Sequence, residues 1–346
     1  MTATEPAENP ARGQREPARR RSADTPVGAG ARGGAGDHAP GAGQGGDTAL
    51  TGPSPVREGA RPSNRDGQSH GRERPHGTAA ASGARPPGQF PGADLAERLR
   101  RGDGGVSLIP YLMAGHPGLA ATRDIGRRLL HSGIAALELG LPHSDPLADG
   151  PVIQRAGQRA LDAGTTTEGC LEVAADLAAE RAAPIVLMTY VNPVLAYGVR
   201  RFVRDAAEAG VAAVIIPDLP LEEAAGVDGA LAERGVASVR LAAPTSTDER
   251  IAAACAAATG FVYTVTVAGI TGSRGDLPEG VEQTLARVRA RTRLPVAAGF
   301  GISRPEHLRR LRGHADAAIV GSSLVAEIDA GRDPHPMVKE LLSSCR

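Results

Sequence analysis

From about residue 94 to its C-terminus the chain alternates between two spacings of apolar residues. Eight short runs rich in β-branched and aliphatic residues recur: VSLIPYLMA from Val106, AALELGL from Ala135, PIVLMTY from Pro184, AAVIIPD from Ala212, VASVRLAA from Val236, FVYTVTV from Phe261, PVAAGFG from Pro295 and AAIVGSS from Ala317. Apolar runs of this length, bounded by turn residues, read as strands of a parallel sheet covered on both faces. Between them lie Ala-rich stretches with apolar residues three and four apart, the spacing that gives a helix one buried face. DLAERLRRG precedes the first strand, and TRDIGRRLLHSG, TTEGCLEVAADLAAERA, VRRFVRDAAEAG, EEAAGVDGALAERG, TDERIAAACAAATG, VEQTLARVRART and RPEHLRRLRG follow in turn. Several close on Gly, which ends a helix in the left-handed conformation at least steric cost.

Eight strand–helix units over roughly 250 residues fit a closed (β/α)8 TIM barrel better than an open doubly wound sheet. The open sheet shows the same alternation, so the pattern alone does not prove closure. A barrel carries its working residues on the loops at the C-terminal ends of its strands, and candidate chemistry is expected there.

Composition sets the first part of the chain aside. Residues 1–88 contain no Phe, Tyr, Trp or Ile, and Met1, Val27, Leu50 and Val56 are their only large aliphatic residues beside 17 Gly and 11 Pro. Such a segment cannot bury enough apolar surface to offset the entropy of ordering it. A disordered Gly/Pro/Arg/Ala-rich tail is therefore expected over 1–88, with the catalytic barrel over 89–346.

The tail carries 12 Arg against 9 acids, and the remainder 27 basic against 30 acidic residues. Neither balance suggests a nucleic-acid surface. Arg19, Arg20 and Arg21 lack the apolar segment that an export signal needs, and no run of 18 apolar residues suggests a membrane span. A cytoplasmic protein is expected. Cys170, Cys255 and Cys345 lie far apart without CxxC spacing, and the two in Ala-rich helical patterns read as buried free thiols. The histidines show no ligand spacing, so no metal is expected.

The stretch LELGLPHSDPLADG sets two acids eleven residues apart, Glu138 inside an apolar strand and Asp149 in the Pro/Gly-rich loop after it. If Leu137, Leu139 and Leu141 face the helices, the two-residue period turns Glu138 and Gly140 into the barrel. Burial there disfavours the charged carboxylate and raises its pKa toward the range useful for proton transfer. The competing reading is a structural ion pair, for which the neighbouring strands offer only Arg240. Asp149 alone would pass for a turn or cap residue, but Pro146, Gly150 and Pro151 hold its segment as a loop over the mouth, beside Glu138. Asp145 reads either as a turn residue or as part of an interface.

The sixth strand is followed by AGITGSRG, the seventh by GFGIS, in which Gly301 precedes a Ser303 helix cap, and the eighth by VGSS, with Gly321 and Ser322. Glycine turns that lead into helix N-termini on the last two strands present free amides and the positive end of a helix dipole to an anion. A single Gly-Ser turn also suits tight packing, whereas the joint placement points to a phosphate ester.

The second-strand motif, together with IPYLMAGHPG, LMTYVNPVLAYG, IIPDLPLEE, FVYTVTVAGITGSRG, AAGFGIS and VGSSLV in the same order, resembles the tryptophan synthase alpha chain family from about Ala93 to the C-terminus. The resemblance implies retro-aldol cleavage of indole-3-glycerol phosphate to indole and glyceraldehyde 3-phosphate in tryptophan biosynthesis, with Glu138 and Asp149 as the catalytic pair. It implies phosphate contacts at Gly272, Gly301, Gly321 and Ser322, and substrate or lid contacts at Thr271, Tyr190 and Tyr263. It also implies an interface with a beta chain at Pro142, Asp145 and Asn192 in an alpha2beta2 tetramer, with pyridoxal phosphate on the beta chain and no cofactor on this one.

Departures from the family pattern accompany it. His143 stands where an aromatic usually follows the first proline of the motif, Met113 and His116 where Thr and Asp are commoner, and Val267 where Arg is usual. His143 reads as a replacement of a packing ring rather than as a catalytic base. The departures leave a free-standing indole-releasing lyase of specialised metabolism as a second reading. A non-catalytic regulatory subunit is a third, against which both acids and the phosphate turns speak. A Schiff-base aldolase would need a lysine on a barrel strand, and Lys339 lies in the C-terminal region.

Overall fold

The computed structural model describes residues 92–265, 277, 279–299 and 301–345. The expectations for the 1–88 tail and for Val267, Thr271 and Gly272 lie outside those residues. Among the described residues the strands are β1 (Ser107–Met113), β2 (Leu137–Gly140), β3 (Ile185–Met188), β4 (Val211–Ile215), β5 (Ala237–Ala242), β6 (Val262–Val265), β7 (Val296–Gly299) and β8 (Ala317–Val320). Each pairs in parallel with the next, and β8 returns to β1 through Ser107↔Ala317 and Ile109↔Ile319. The sheet is a closed TIM barrel; the open doubly wound alternative is excluded.

The helices of the described residues are α1 (Gly92–Leu99), α2 (Leu119–Leu130), α3 (Pro151–Asp162), α4 (Thr167–Ala178), α5 (Val191–Tyr197), α6 (Val199–Glu208), α7 (Ala225–Glu233), α8 (Asp248–Ala257), α9 (Val281–Arg289), α10 (Pro305–Leu311), α11 (Ser322–Asp329) and α12 (His335–Ser343). A 3₁₀ turn, Leu221–Glu223, precedes α7. Every strand read from the apolar runs is present, as are the helices read between them. The apolar spacing did not single out α3, α5, α11 and α12. In α3 the buried face is Ile153, Ala156, Gly157 and Ala160, which has helical spacing but little apolar bulk. Ser303 does not cap α10. Arg304 occupies the cap position, and the Ser303 amide donates to His307 Nδ1 at 3.1 Å.

Alternation along the strands divides the core into two layers. Leu137, Leu139, Leu187, Val214, Val262 and Val320 point outward and pack with α2, α4, α6 and α9 residues such as Leu129, Leu177, Phe202 and Leu285. Ile109, Tyr111, Val186, Ile215, Val239, Tyr263, Ala297 and Ile319 fill the barrel interior. Leu95 and Leu99 of α1, both fully buried, join the interior layer with Phe261 and close the N-terminal end. Among the described residues, the pocket lined by Glu138 and Asp149 opens at the opposite, C-terminal end. Cys170, Cys255 and Cys345 are buried free thiols, and burial pushes the Cys170 thiol up to about 12. Among the described residues no helix is long and apolar enough to cross a membrane.

Candidate active site

Glu138 sits in β2 beside Tyr111 of β1 and Val186 of β3 in parallel register. With Leu137 and Leu139 facing outward, its side chain is turned into the barrel, where it is 1 % exposed. Its Oε2 has no hydrogen-bond partner among the described residues. Arg240 does not neutralise it: that guanidinium pairs with Asp228 of α7, which also accepts from the Ser238 hydroxyl at 2.8 Å. Burial raises the Glu138 pKa to about 8, and the nearby charge of Asp149 adds to the rise.

Asp149 is held over the same pocket by two side chains. The Gln154 amide of α3 donates to the Asp149 carbonyl at 2.9 Å, and the Tyr190 hydroxyl accepts the Ala148 amide hydrogen at 3.0 Å. Burial raises the Asp149 carboxyl to about 6, while a hydrogen bond from the Tyr190 hydroxyl works in the opposite direction. Between pH 6 and 8 the two acids thus favour different forms, Glu138 protonated and Asp149 ionised. A pair of carboxyl groups with separated pKa values is the arrangement that acid–base chemistry requires.

The pocket holds about 460 Å³ of free space, solvent at its mouth included, within the range of small-molecule sites. Its walls are Tyr111, Ile153, Met188, Tyr263, Ile302 and Ile319, its acids Glu138 and Asp149, and its far rim Gly301, Gly321 and Ser322. The apolar walls suit a flat aromatic ring. Glycine makes room for the two tyrosines: a Cβ on Gly299 would stand 2.3 Å from the Tyr263 hydroxyl. Gly301 has φ +79°, which a side chain would strain. At the rim α11 begins without a side-chain cap and without an acid in its first turn. Its first-turn amides and dipole are therefore available to an anion.

The structure brings most of the candidate residues to one place. Glu138, Asp149, Tyr263, Gly301, Gly321 and Ser322 line the pocket, and Tyr190 reaches it through Asp149. Pro142, Asp145 and Asn192 stand apart from it, on the rim formed by the loop after β2 and the start of α5, with Asp145 and Asn192 exposed. His143 stacks on Tyr190 at 5.0 Å between ring centroids, the position of a packing ring. Met113 packs beside Gly157 of α3, 3.4 Å from a Cβ built there. Sequence reasoning missed Tyr111 and Met188, although both lie at strand ends on the inward register. It also missed Gln154, for which the residue pattern holds no signal because its partner is a backbone carbonyl. Among the described residues no group of three His, Cys, Asp or Glu could hold a metal ion.

The sequence profile of the family described as tryptophan synthase alpha chain matches residues 99–346. The tryptophan synthase alpha chain of Prochlorococcus marinus (strain MIT 9313) is 44 % identical over 241 residues, 69 % of this chain and 88 % of that one. Among solved structures, the tryptophan synthase of Mycobacterium tuberculosis superposes with a TM-score of 0.69 at 35 % identity, covering 73 % of this chain and 98 % of that one. A structure described as the tryptophan synthase a2b2 complex of Pyrococcus furiosus gives a TM-score of 0.64 at 39 % identity, over 68 % and 98 % of the two chains. The closed barrel, the two acids at its mouth and these similarities agree, and the chain belongs to the tryptophan synthase alpha chain family.

Proposed function

We propose that the pocket cleaves indole-3-glycerol phosphate to indole and glyceraldehyde 3-phosphate, the lyase step of the alpha subunit in tryptophan biosynthesis, with Glu138 and Asp149 as its catalytic pair. The observation that carries the assignment is that two buried carboxyl groups, Glu138 and Asp149, line one apolar pocket whose rim is the uncapped start of α11, where burial raises both of them.

The chemistry needs one proton delivered and one removed. Protonated Glu138 gives its proton to indole C3, and the ring becomes a cation whose N–H hydrogen-bonds to the Asp149 carboxylate. The Glu138 carboxylate then takes the proton of the hydroxyl on the carbon attached to the ring. That carbon becomes the aldehyde, its bond to C3 breaks, and the bonding electrons return to the indole. Glu138 ends protonated, as it began. A fixed carboxylate beside a developing ring cation in a dry pocket is worth more than the same charge in water. The Gly301, Gly321 and Ser322 rim, with Gly272, holds the phosphate; Tyr263, Tyr190 and Thr271 contact the rest of the substrate.

The rim outside the pocket supports a beta-chain partner. Leu147 and Leu195 are the exposed large hydrophobic residues among the described positions, at 87 % and 56 %. Leu147 stands on the loop that carries Pro142 and Asp145, and Leu195 on α5 with Asn192. Apolar side chains exposed together at a rim mark an interaction surface, and the Pyrococcus furiosus relative is described as an a2b2 complex. Pyridoxal phosphate belongs to the beta chain in this reading.

The decisive experiment is an indole-release assay on indole-3-glycerol phosphate with the purified chain, alone and with a cognate beta subunit. Indole formation that the beta subunit stimulates strongly is expected. No indole from either preparation would refute the assignment, and full turnover without the partner would refute the alpha2beta2 reading in favour of a free-standing lyase.

A further inference from the structure

Helices α3 and α11 both begin at the mouth of the barrel. The first starts two residues after Asp149, and the second starts at Ser322 on the phosphate rim. At 1.5 Å per residue, Arg159 and Asp329 lie roughly 11–12 Å further along their helices. There the Arg159 guanidinium donates to Asp329 Oδ1 at 2.7 Å, and the same oxygen lies 2.8 Å from His116 Nε2, a close contact without hydrogen-bond alignment. His116 belongs to the turn after β1, and its side chain is 3 % exposed. That turn is pressed beneath the connection between α3 and α4, since a Cβ on Gly115 would stand 2.1 Å from Thr165 Oγ1. One carboxylate thus joins two neighbouring helices by a hydrogen bond and rests against the turn after β1.

The pair contributes little to stability. The Arg159 side chain is 58 % exposed, and ion pairs screened by solvent are worth about 0–1 kcal/mol. Its geometry matters more, because the buried face of α3 is made largely of small residues, Ala156, Gly157 and Ala160. Small side chains interlock weakly and resist sliding poorly, so a directional polar contact sets the register of the two helices. A substrate of fixed length spans from Asp149, ahead of α3, to the N-terminus of α11, and misplacement by about 1 Å can cost roughly 100-fold in rate.

We propose that Asp329 is a positioning residue: by holding Arg159 and His116 together it sets the distance between Asp149 and the phosphate rim, and with it the fit of the phosphate ester. The inference rests on the lyase reading for its substrate, but its binding test does not. In the full chain, Asp329→Ala is expected to raise both the KM for indole-3-glycerol phosphate and the Kd for glycerol 3-phosphate about 10-fold and to lower kcat, with Tm close to wild type. Asp329→Glu restores most of the loss. Arg159→Gln, at an exposed position where folding is not at risk, shifts the same constants in the same direction by a smaller factor. Unchanged KM and Kd in both Asp329→Ala and Arg159→Gln would overturn the proposal, as would a fall in Tm with KM and Kd unmoved. If the wild-type chain forms no indole the lyase reading fails, whereas the glycerol 3-phosphate constants of the variants still decide whether Asp329 sets the anchor.

Discussion

A Cβ placed on Gly140 would stand 2.0 Å from the hydroxyl oxygen of Tyr111. Tyr111 is in register with Glu138, two residues before that glycine, so the missing side chain leaves the space that the ring occupies beside the acid. Gly140→Ala must push the ring or the strand aside, and overpacking of this kind typically costs about 1–3 kcal/mol. A fall in Tm together with at least a 10-fold drop in kcat/KM is expected. Calorimetry and the indole assay on the same sample check it, and an alanine variant with wild-type values of both would refute the close fit.

Removing either acid separates their roles. Glu138→Gln keeps the shape of the side chain but has no proton to give or receive, and general acid–base catalysis contributes about 10²- to 10⁴-fold. Its kcat is expected to fall by that order with KM little changed. Asp149→Asn loses the charge that in the proposed mechanism stabilises the ring cation, and is expected to lower kcat through the same transition state. Single-turnover measurement of indole formation tests both, and a kcat within a few-fold of wild type in Glu138→Gln would remove Glu138 from the mechanism.

The rate should follow a bell-shaped pH profile. Above about pH 8 Glu138 loses the proton that the first step delivers, and below about pH 6 Asp149 is neutralised. In kcat/KM the two limbs report the free enzyme. Asp149→Asn should abolish the acidic limb that belongs to the protein, while the phosphate of the substrate, with its second pKa near about 6, still titrates there. A parallel titration of glycerol 3-phosphate binding separates the two.

The same burial makes a stability prediction of definite sign. The folded-state pKa of Glu138 is raised above its ordinary value of 4.5. Between that value and about 8 the native state binds more protons at this group than the unfolded state does, so its contribution to stability falls as pH rises. Glu138→Gln lacks the titration. Its Tm advantage over wild type is expected to grow from pH 5 to pH 8, and a constant difference across that range would contradict the raised pKa.

Leu147 offers a test of the rim that leaves the pocket alone. Leu147→Asp puts a charge on a side chain that is 87 % exposed, which the isolated chain tolerates. If the rim meets a beta chain, burying that charge weakens the complex by about 10-fold or more in Kd. Indole formation by the isolated chain should be unchanged while stimulation by the beta subunit requires more of it. Stimulation at wild-type concentrations would place the interface elsewhere.

Much of this is legible in the amino-acid sequence, because it depends on neighbours along the chain. The two spacings of apolar residues specify which segments bury one stripe and which bury both faces, and eight alternations specify strands and helices in the right order. The period of two also turns Glu138 inward once Leu137 and Leu139 face the helices, and the glycines after β7 and β8 mark turns that open onto helix N-termini. Where the apolar face is thin, as in α3, the local signal is weak and the helix was missed; where a cap depends on geometry, Ser303 was misread.

Other features follow from closure of the sheet, and no local pattern contains them. Whether eight strands close depends on β8 meeting β1, an encounter between residues some two hundred positions apart. That closure buries Glu138, raises its pKa and puts Asp149 across from it. It turns Arg240 away to Asp228, sets the Tyr190 hydroxyl against Asp149, and brings Arg159 and His116 to the Asp329 carboxylate. The physical reason is that spacing along a chain governs which way a side chain faces, whereas the strength of an acid and the partner of a charge depend on what the completed barrel excludes and what it brings within hydrogen-bonding reach.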